Sequence, residues 1–253
     1  MESFSGELLL ALTPEQRGRL RGRRCTPVWL CYSLRNGPRL WRCAAPETIR
    51  GGVLMAEDSA QGELGDPALC CAQAVRECEA RGAAGFWANW EHPPSPAREA
   101  LTARLERSLQ AAGRSLYVNE PYAACTESAR VLISSALSGG TLEARLTEAL
   151  ERYGRPRLVL AVERVAEAFC LPAPSGRGEH LTPGQVEALR RRHRARVHRS
   201  RELCESYFTY QDGEQTRLVL FDTDEDVREK LRLAQRLGLE RVLLALEELG
   251  GLA

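Results

Sequence analysis

The chain has 253 residues, a hydrophobic fraction of 43% and a net charge of +1. That length holds one α/β barrel or two small domains, and the neutral balance removes any bulk pull toward nucleic acid or an anionic membrane. No apolar run approaches the ~20 residues that a membrane-spanning helix needs.

In chain order, Met1–Leu12 carries an apolar Leu8-Leu9-Leu10 but neither a basic leader nor a long apolar core. It reads as part of an N-terminal appendage over about residues 1–25, not as a signal peptide. Thr13-Pro14-Glu15-Gln16 has the pattern of a capped helix start. Pro27–Tyr32 is expected as the first strand, Gly37–Ala45 as a ragged hairpin over a barrel rim, and Gly51–Ala56 as the second strand. Glu57 and Asp58 end that strand, either in a site or in a solvated loop. Asp66-Pro67 opens a helix that stops near Gly82. Phe86–Trp90 then forms a short aromatic third strand, delivers Glu91 at its C-terminal end, and is halted by His92-Pro93-Pro94.

Ser95-Pro96 caps the next helix, Ala97–Ala112, whose Leu101, Leu105 and Leu109 form a packing stripe. Ser115–Val118 is the fourth strand, followed by Asn119, Glu120, Pro121 and Tyr122. Arg130–Ser134 is the fifth. Thr141 starts a helix closed by Gly154, and Arg157–Val162 is the sixth strand, ending at Glu163-Arg164. Phe169–His180 is the longest Pro/Gly-rich loop, at the place where barrels carry lids. Thr182-Pro183 opens a helix over Gly184–His198, whose arginines between Arg190 and Arg201 read as a solvated face, since no aromatic stacking set accompanies them. Glu205–Tyr210 and Arg217–Phe221 flank a Gln211-Asp212-Gly213 turn. One should be the seventh strand and the other its hairpin partner. Asp224–Leu237 is the final helix and Arg241–Leu246 the eighth strand.

Strands alternating with helices point to a single α/β domain, a (β/α)8 TIM barrel. An open doubly wound sheet is the alternative. No G-x-G-x-x-G follows a strand, and Ser138-Gly139-Gly140 is too weak a phosphate loop to support a nucleotide cofactor. The nine cysteines form no C-x-x-C pair and have no histidine at metal-finger spacing. Reduced thiols, no metal, no cofactor and a cytoplasmic location are therefore expected.

The stretch Arg81–Glu91, RGAAGFWANWE, resembles the catalytic strand of glycoside hydrolase family 18, the chitinase-like barrels, whose pattern is G-F-D-G-x-D-x-D-x-E. Gly82, Gly85, Trp90 and Glu91 fall in register, but Ala84, Trp87 and Asn89 stand at the aspartate positions. Asp222–Leu246 is similar to the family's closing helix and strand, with Ala245 where the family usually has a Trp that floors the sugar subsite. The two stretches cover 11 and 25 residues. Among bacterial relatives, the chain looks closest to the divergent family 18-like barrels of spore-forming bacteria.

The resemblance implies substrate-assisted hydrolysis of N-acetyl sugars, an exception to the two-carboxylate rule. Glu91 would protonate the leaving oxygen while the substrate's acetamide attacks the anomeric carbon. Asn89 holds the place of the aspartate that orients the acetamide and balances its charge. An amide can orient by hydrogen bonding but carries no charge, and loss of such a partner costs roughly 10²–10³ in rate. Trp87 either stacks on a sugar or fills the barrel. Glu91 and Asn89 are thus the candidate catalytic pair, and Glu57, Asp58, Trp87, Asn119, Glu120, Tyr122 and Glu163 the candidate substrate-binding residues. Three functions remain open: an altered glycoside hydrolase, a silent barrel that binds glycan or peptidoglycan fragments, and an interaction protein that keeps only the fold. The sequence leaves the oligomeric state undefined.

Overall fold

The computed structural model describes residues 4–37, 39–44, 48–60, 64–137, 139–172 and 178–252. Eight parallel strands close into a barrel: β1 (Glu7–Leu12), β2 (Thr26–Arg35), β4 (Val53–Asp58), β5 (Gly85–Asn89), β6 (Ser115–Asn119), β7 (Arg130–Ser134), β8 (Leu158–Ala161) and β14 (Arg241–Ala245). A short β3 (Arg39–Arg42) runs antiparallel to the upper half of β2, which is the rim hairpin expected over Gly37–Ala45. Closure depends on β1, which pairs parallel with β14 on one side and β2 on the other.

The strands are apolar on both faces because both faces are buried. Inward-facing Leu9, Val28, Met55, Tyr117, Leu132 and Leu243 fill the barrel. Outward-facing Leu10, Leu54, Phe86, Val118, Ile133 and Leu244 belong to the core under the surrounding helices. The same reasoning corrects the N-terminal appendage: Leu8-Leu9-Leu10 is a barrel strand, with Leu9 facing in and Leu10 facing out. The segment after it, Pro14–Leu20, is a 3-10 helix.

Helices α1 (Ala68–Arg81), α2 (Pro96–Ala111), α3 (Leu142–Tyr153) and α5 (Asp224–Arg236) cover the outer wall. Gly82 ends α1 in the left-handed region at φ 61°, which glycine reaches without a Cβ clash. Gly85 begins β5 in the barrel interior, where a Cβ would lie 2.8 Å from the Ser115 carbonyl oxygen. Ser95 caps α2 and Thr141 caps α3, each accepting a main-chain N–H with its hydroxyl.

Between β8 and α5 the chain leaves the barrel. It builds a second, antiparallel sheet from β9 (Ala166–Leu171), β10 (Glu179–His180), β11 (His198–Ser200), β12 (Glu205–Asp212) and β13 (Gln215–Phe221), in the order β10-β9-β13-β12-β11. Helix α4 (Pro183–Arg192) supplies Val186 to its core beside Ala168, Phe208 and Val219. The seventh barrel strand is therefore β8, not either arm of the hairpin over Glu205–Phe221. Those arms pair with each other and their outer edges are taken by β9 and β11, so neither has an edge for the barrel. The expected helix over Gly184–His198 stops at Arg192, and His198 enters β11. The expected lid over Phe169–His180 begins inside β9 and ends in β10, while 173–177 lie outside the described residues. Among the described residues no helix is long and apolar enough to cross a membrane.

All nine cysteines are free. Burial pushes the thiols of Cys31, Cys70 and Cys78 up to about 12, whereas Cys43 is exposed. A thiol reagent at neutral pH should therefore modify Cys43 first and leave those three unmodified until the fold is opened. The denatured, non-reduced protein should then titrate nine thiols; fewer would reveal a disulfide.

Candidate functional site at the barrel mouth

Side chains two apart on a strand share a face, so the filled interior identifies what reaches the C-terminal mouth. Above Val53 and Met55 on β4 comes Glu57. Above Gly85 and Trp87 on β5 comes Asn89. Above Tyr117 on β6 comes Asn119, and above Leu132 on β7 comes Ser134. Glu57 and Asn89 are register partners, as are Ser134 and Ala161. Glu163, two residues beyond Ala161, accepts a hydrogen bond on its carboxylate from Ser134 Oγ at 3.0 Å.

Asn119 organises the centre of this ring. Its Oδ1 accepts from the Trp87 indole N–H at 3.1 Å, and its Nδ2 donates to Asn89 Oδ1 at 2.8 Å and to the Trp90 carbonyl at 3.2 Å. With the Asn89 oxygen engaged, that residue has its NH₂ group left as a donor. Trp87 is half-buried and packs on the barrel interior, so it fills the barrel and its polar edge orients Asn119.

Glu91 follows β5 at the same rim and is exposed. Its neighbours hold the main chain on both sides. Trp90 is buried and donates its indole N–H to Thr102 Oγ1 of α2 at 3.0 Å, and the His92 carbonyl accepts from the Tyr122 hydroxyl at 2.7 Å. An exposed carboxylate is thereby carried on a fixed backbone.

Three of the expected substrate-binding residues do other work. Asp58 points to the outer face, where its fully buried carboxylate pairs with Arg98 Nε of α2 at 2.6 Å and accepts the Ala60 N–H at 3.0 Å. It is one residue past Glu57 and takes the opposite face. Glu120 lies in a 3-10 helix, Glu120–Cys125, and pairs with Arg145 of α3. Tyr122 is 1% exposed and packs in the outer core, so its hydroxyl positions the loop after Glu91 and its ring is closed to ligand.

The Glu163 carboxyl has a raised proton affinity. Its side chain reaches solvent, but the protein around it displaces part of its water, and this desolvation is the leading cause of the rise. The Ser134 hydrogen bond opposes it, Glu248 adds to it, and Lys230 opposes it. Two contributors carry no local sequence signal. Ser134 looks in sequence like a plain strand end. Trp41 of β3 is half-exposed, lies opposite Ser33 on the inward side of the rim hairpin, and has Arg35 stacked on its ring at 4.9 Å. Its side depends on the β2–β3 register, including a bulge in β2 at Leu30–Tyr32, which periodicity alone does not reveal.

No protein-family model and no curated protein matches the chain. Solved structures do. A chitinase from Chromobacterium violaceum superposes with a TM-score of 0.67 at 16% identity, over 95% of this chain and 93% of that one. The fold is that of the chitinase-like barrels. The spore cortex-lytic enzyme SleL of Bacillus megaterium gives 0.63 at 13%, over 94% and 70%. The class V chitinase of Nicotiana tobaccum gives 0.62 at 12%, over 96% and 94%, and a mutant of it has been solved in complex with NAG4. In this chitinase-like barrel a groove of about 1140 Å³ lies away from the mouth. It runs along the outer wall between β1 and α5, beside Phe4, Leu8, Arg23, Arg24 and Leu231, away from every residue of the Asn119 network.

The Asp58 assignment has a direct check. Asp58→Ala leaves Arg98 largely buried without its carboxylate, which should cost about 3–5 kcal/mol. Thermal or urea melting should show that loss, and a melt like wild type would return Asp58 to the list of candidate ligands.

Proposed function

We propose that the chain is a glycan-binding barrel that recognises N-acetyl sugars at its mouth and hydrolyses them slowly at best. The observation that carries this reading is the hydrogen bond from Asn119 Nδ2 to Asn89 Oδ1. It turns the residue two places before Glu91 into a fixed amide donor, suited to a sugar hydroxyl or an acetamide carbonyl and unable to balance a developing cation. Trp41 with Arg35 offers an aromatic face at the rim, and Glu57, Glu91 and Glu163 offer acceptors for hydroxyls. The likeness to chitinases and to a spore cortex-lytic enzyme supports N-acetyl sugars, including peptidoglycan fragments, as the ligand class. The nine free cysteines support a reducing, cytoplasmic compartment.

What slow hydrolysis there is would use Glu91 as the acid, its backbone held by Trp90 and Tyr122. Asn89→Asp restores a carboxylate on the face that Glu91 shares, and Asn119 Nδ2 is already placed to donate to it. Like-charge repulsion from that carboxylate would also help Glu91 keep its proton.

Calorimetric titration with an N-acetylglucosamine tetramer should show saturable binding, weakened ~10-fold or more in Asn119→Ala, about the value of one or two good hydrogen bonds. Turnover of a chromogenic N-acetylglucosaminide should rise ~10-fold or more in Asn89→Asp, and be lost when Glu91→Gln is added. Absence of binding in the wild type would leave an interaction protein that keeps only the barrel. Turnover undiminished in Glu91→Gln would remove Glu91 from the chemistry.

A further inference from the structure

Away from the open mouth, the densest group of buried charge lies where the inserted sheet meets the barrel. Glu205 opens β12, Asp222 follows β13, Asp226 and Lys230 lie on α5, and Arg199 lies on β11. The side chains of Glu205, Asp222, Asp226 and Lys230 are all fully buried. Lys230 Nζ donates to Asp222 Oδ2 at 2.8 Å and to the main-chain oxygen of Glu163 at 3.3 Å. Asp222 Oδ2 also accepts the Val165 N–H at 2.7 Å. The segment that carries Glu163 out of β8 is thus clamped by the pair Lys230 and Asp222.

Asp226 is well provided for: its Oδ2 accepts from Ser206 Oγ at 2.7 Å and from the Thr223 N–H and hydroxyl, and Arg199 stands 2.7 Å from its Oδ1. Glu205 is not. Neither of its carboxylate oxygens has a hydrogen-bond partner among the described residues. The cation facing it, Lys230, stands 3.9 Å away and is already committed to Asp222 and Glu163. Asp222, Asp226 and Glu167 of β9 surround it with like charge. An ionised carboxylate in that position has lost its water and gained no donor.

We propose that Glu205 is a proton-operated latch: protonated, it leaves Lys230 to Asp222 and Glu163 and keeps the inserted sheet seated on α5, and ionised, it competes for Lys230 and loosens the Glu163–Val165 segment at the mouth. The inference stands on this packing and does not require the barrel to hydrolyse anything. Burial first, and the neighbouring acids after it, raise the Glu205 carboxyl to about 7 against the pull of Lys230. A carboxyl whose pKa is raised by folding contributes stability that is fully present below its unfolded value and is lost as pH climbs through its folded one. The latch therefore holds in mild acid and releases above neutrality.

Two measurements test it. Carboxyl ¹³C resonances of glutamate-labelled wild type should show one titration with a midpoint near 7, absent in Glu205→Gln. Hydrogen exchange of amides 163–167 and 205–210, corrected for intrinsic rates, should rise ~10-fold between pH 6 and 8 in wild type. It should be flat in Glu205→Gln, whose uncharged amide imitates the protonated form. A Glu205 midpoint in the ordinary carboxylate range, flat exchange in wild type, or the same rise in the glutamine variant would each overturn the latch.

Discussion

A sheet of parallel strands leaves two edges of unpaired main-chain groups, and in this protein a single six-residue strand satisfies both. β1 pairs with β14 through Glu7–Ala11 and with β2 through Leu9–Leu12. Its short apolar sequence, ELLLAL, suits a position with the packed interior on one side and the outer core on the other. Closure also sets the face of every neighbouring side chain. With the barrel complete, Val53, Trp87, Tyr117 and Leu132 fill the inside, and the next inward position on each of their strands stands at or toward the mouth. The chemistry of the mouth is thus a consequence of strand parity.

That parity separates residues adjacent in sequence. Glu57 reaches the mouth while Asp58, its neighbour, anchors α2 through Arg98. Asn119 on β6 joins three groups on and just after β5, the Trp87 indole, the Asn89 amide and the Trp90 carbonyl, while Glu120 immediately after it turns to Arg145. The result is a mouth whose centre is neutral, with the Asn89 NH₂ group left as a donor and carboxylates around it. Such an arrangement suits recognition of hydroxyl and acetamide groups better than stabilisation of a cationic intermediate.

Much of this was legible in the sequence, for physical reasons that differ by element. The acid at the end of β5, the Ser95 and Thr141 caps and the closing helix and strand are local patterns, and local patterns survive reading one chain at a time. β1 is hard to recognise in sequence because its run of leucines has no helix before it to mark it as a barrel strand. One arm of the hairpin over Glu205–Phe221 resembles a barrel strand because apolar runs look alike in either setting. Only pairing decides between them, and β9, which claims the edge of β13, runs into the Pro/Gly-rich stretch that starts at Phe169. These two differences offset each other, so the expected count of eight holds with one member wrong: a hairpin arm stands in for β1. Asp58 differs at a finer scale, where one residue of register past Glu57 exchanges the mouth for the outer face and Arg98.

The central claim is that the Asn89 amide, fixed by Asn119, is the donor that meets an N-acetyl sugar. The most direct measurement follows the side-chain amide and indole N–H resonances of ¹⁵N-labelled protein during titration with an N-acetylglucosamine tetramer. The account predicts saturable shifts of the Asn89 NH₂ pair, with the Asn119 amide and the Trp87 indole shifting less because their partners are already in place. Saturable shifts confined to the outer groove beside Arg23 and Arg24, with Asn89 unmoved, would contradict it.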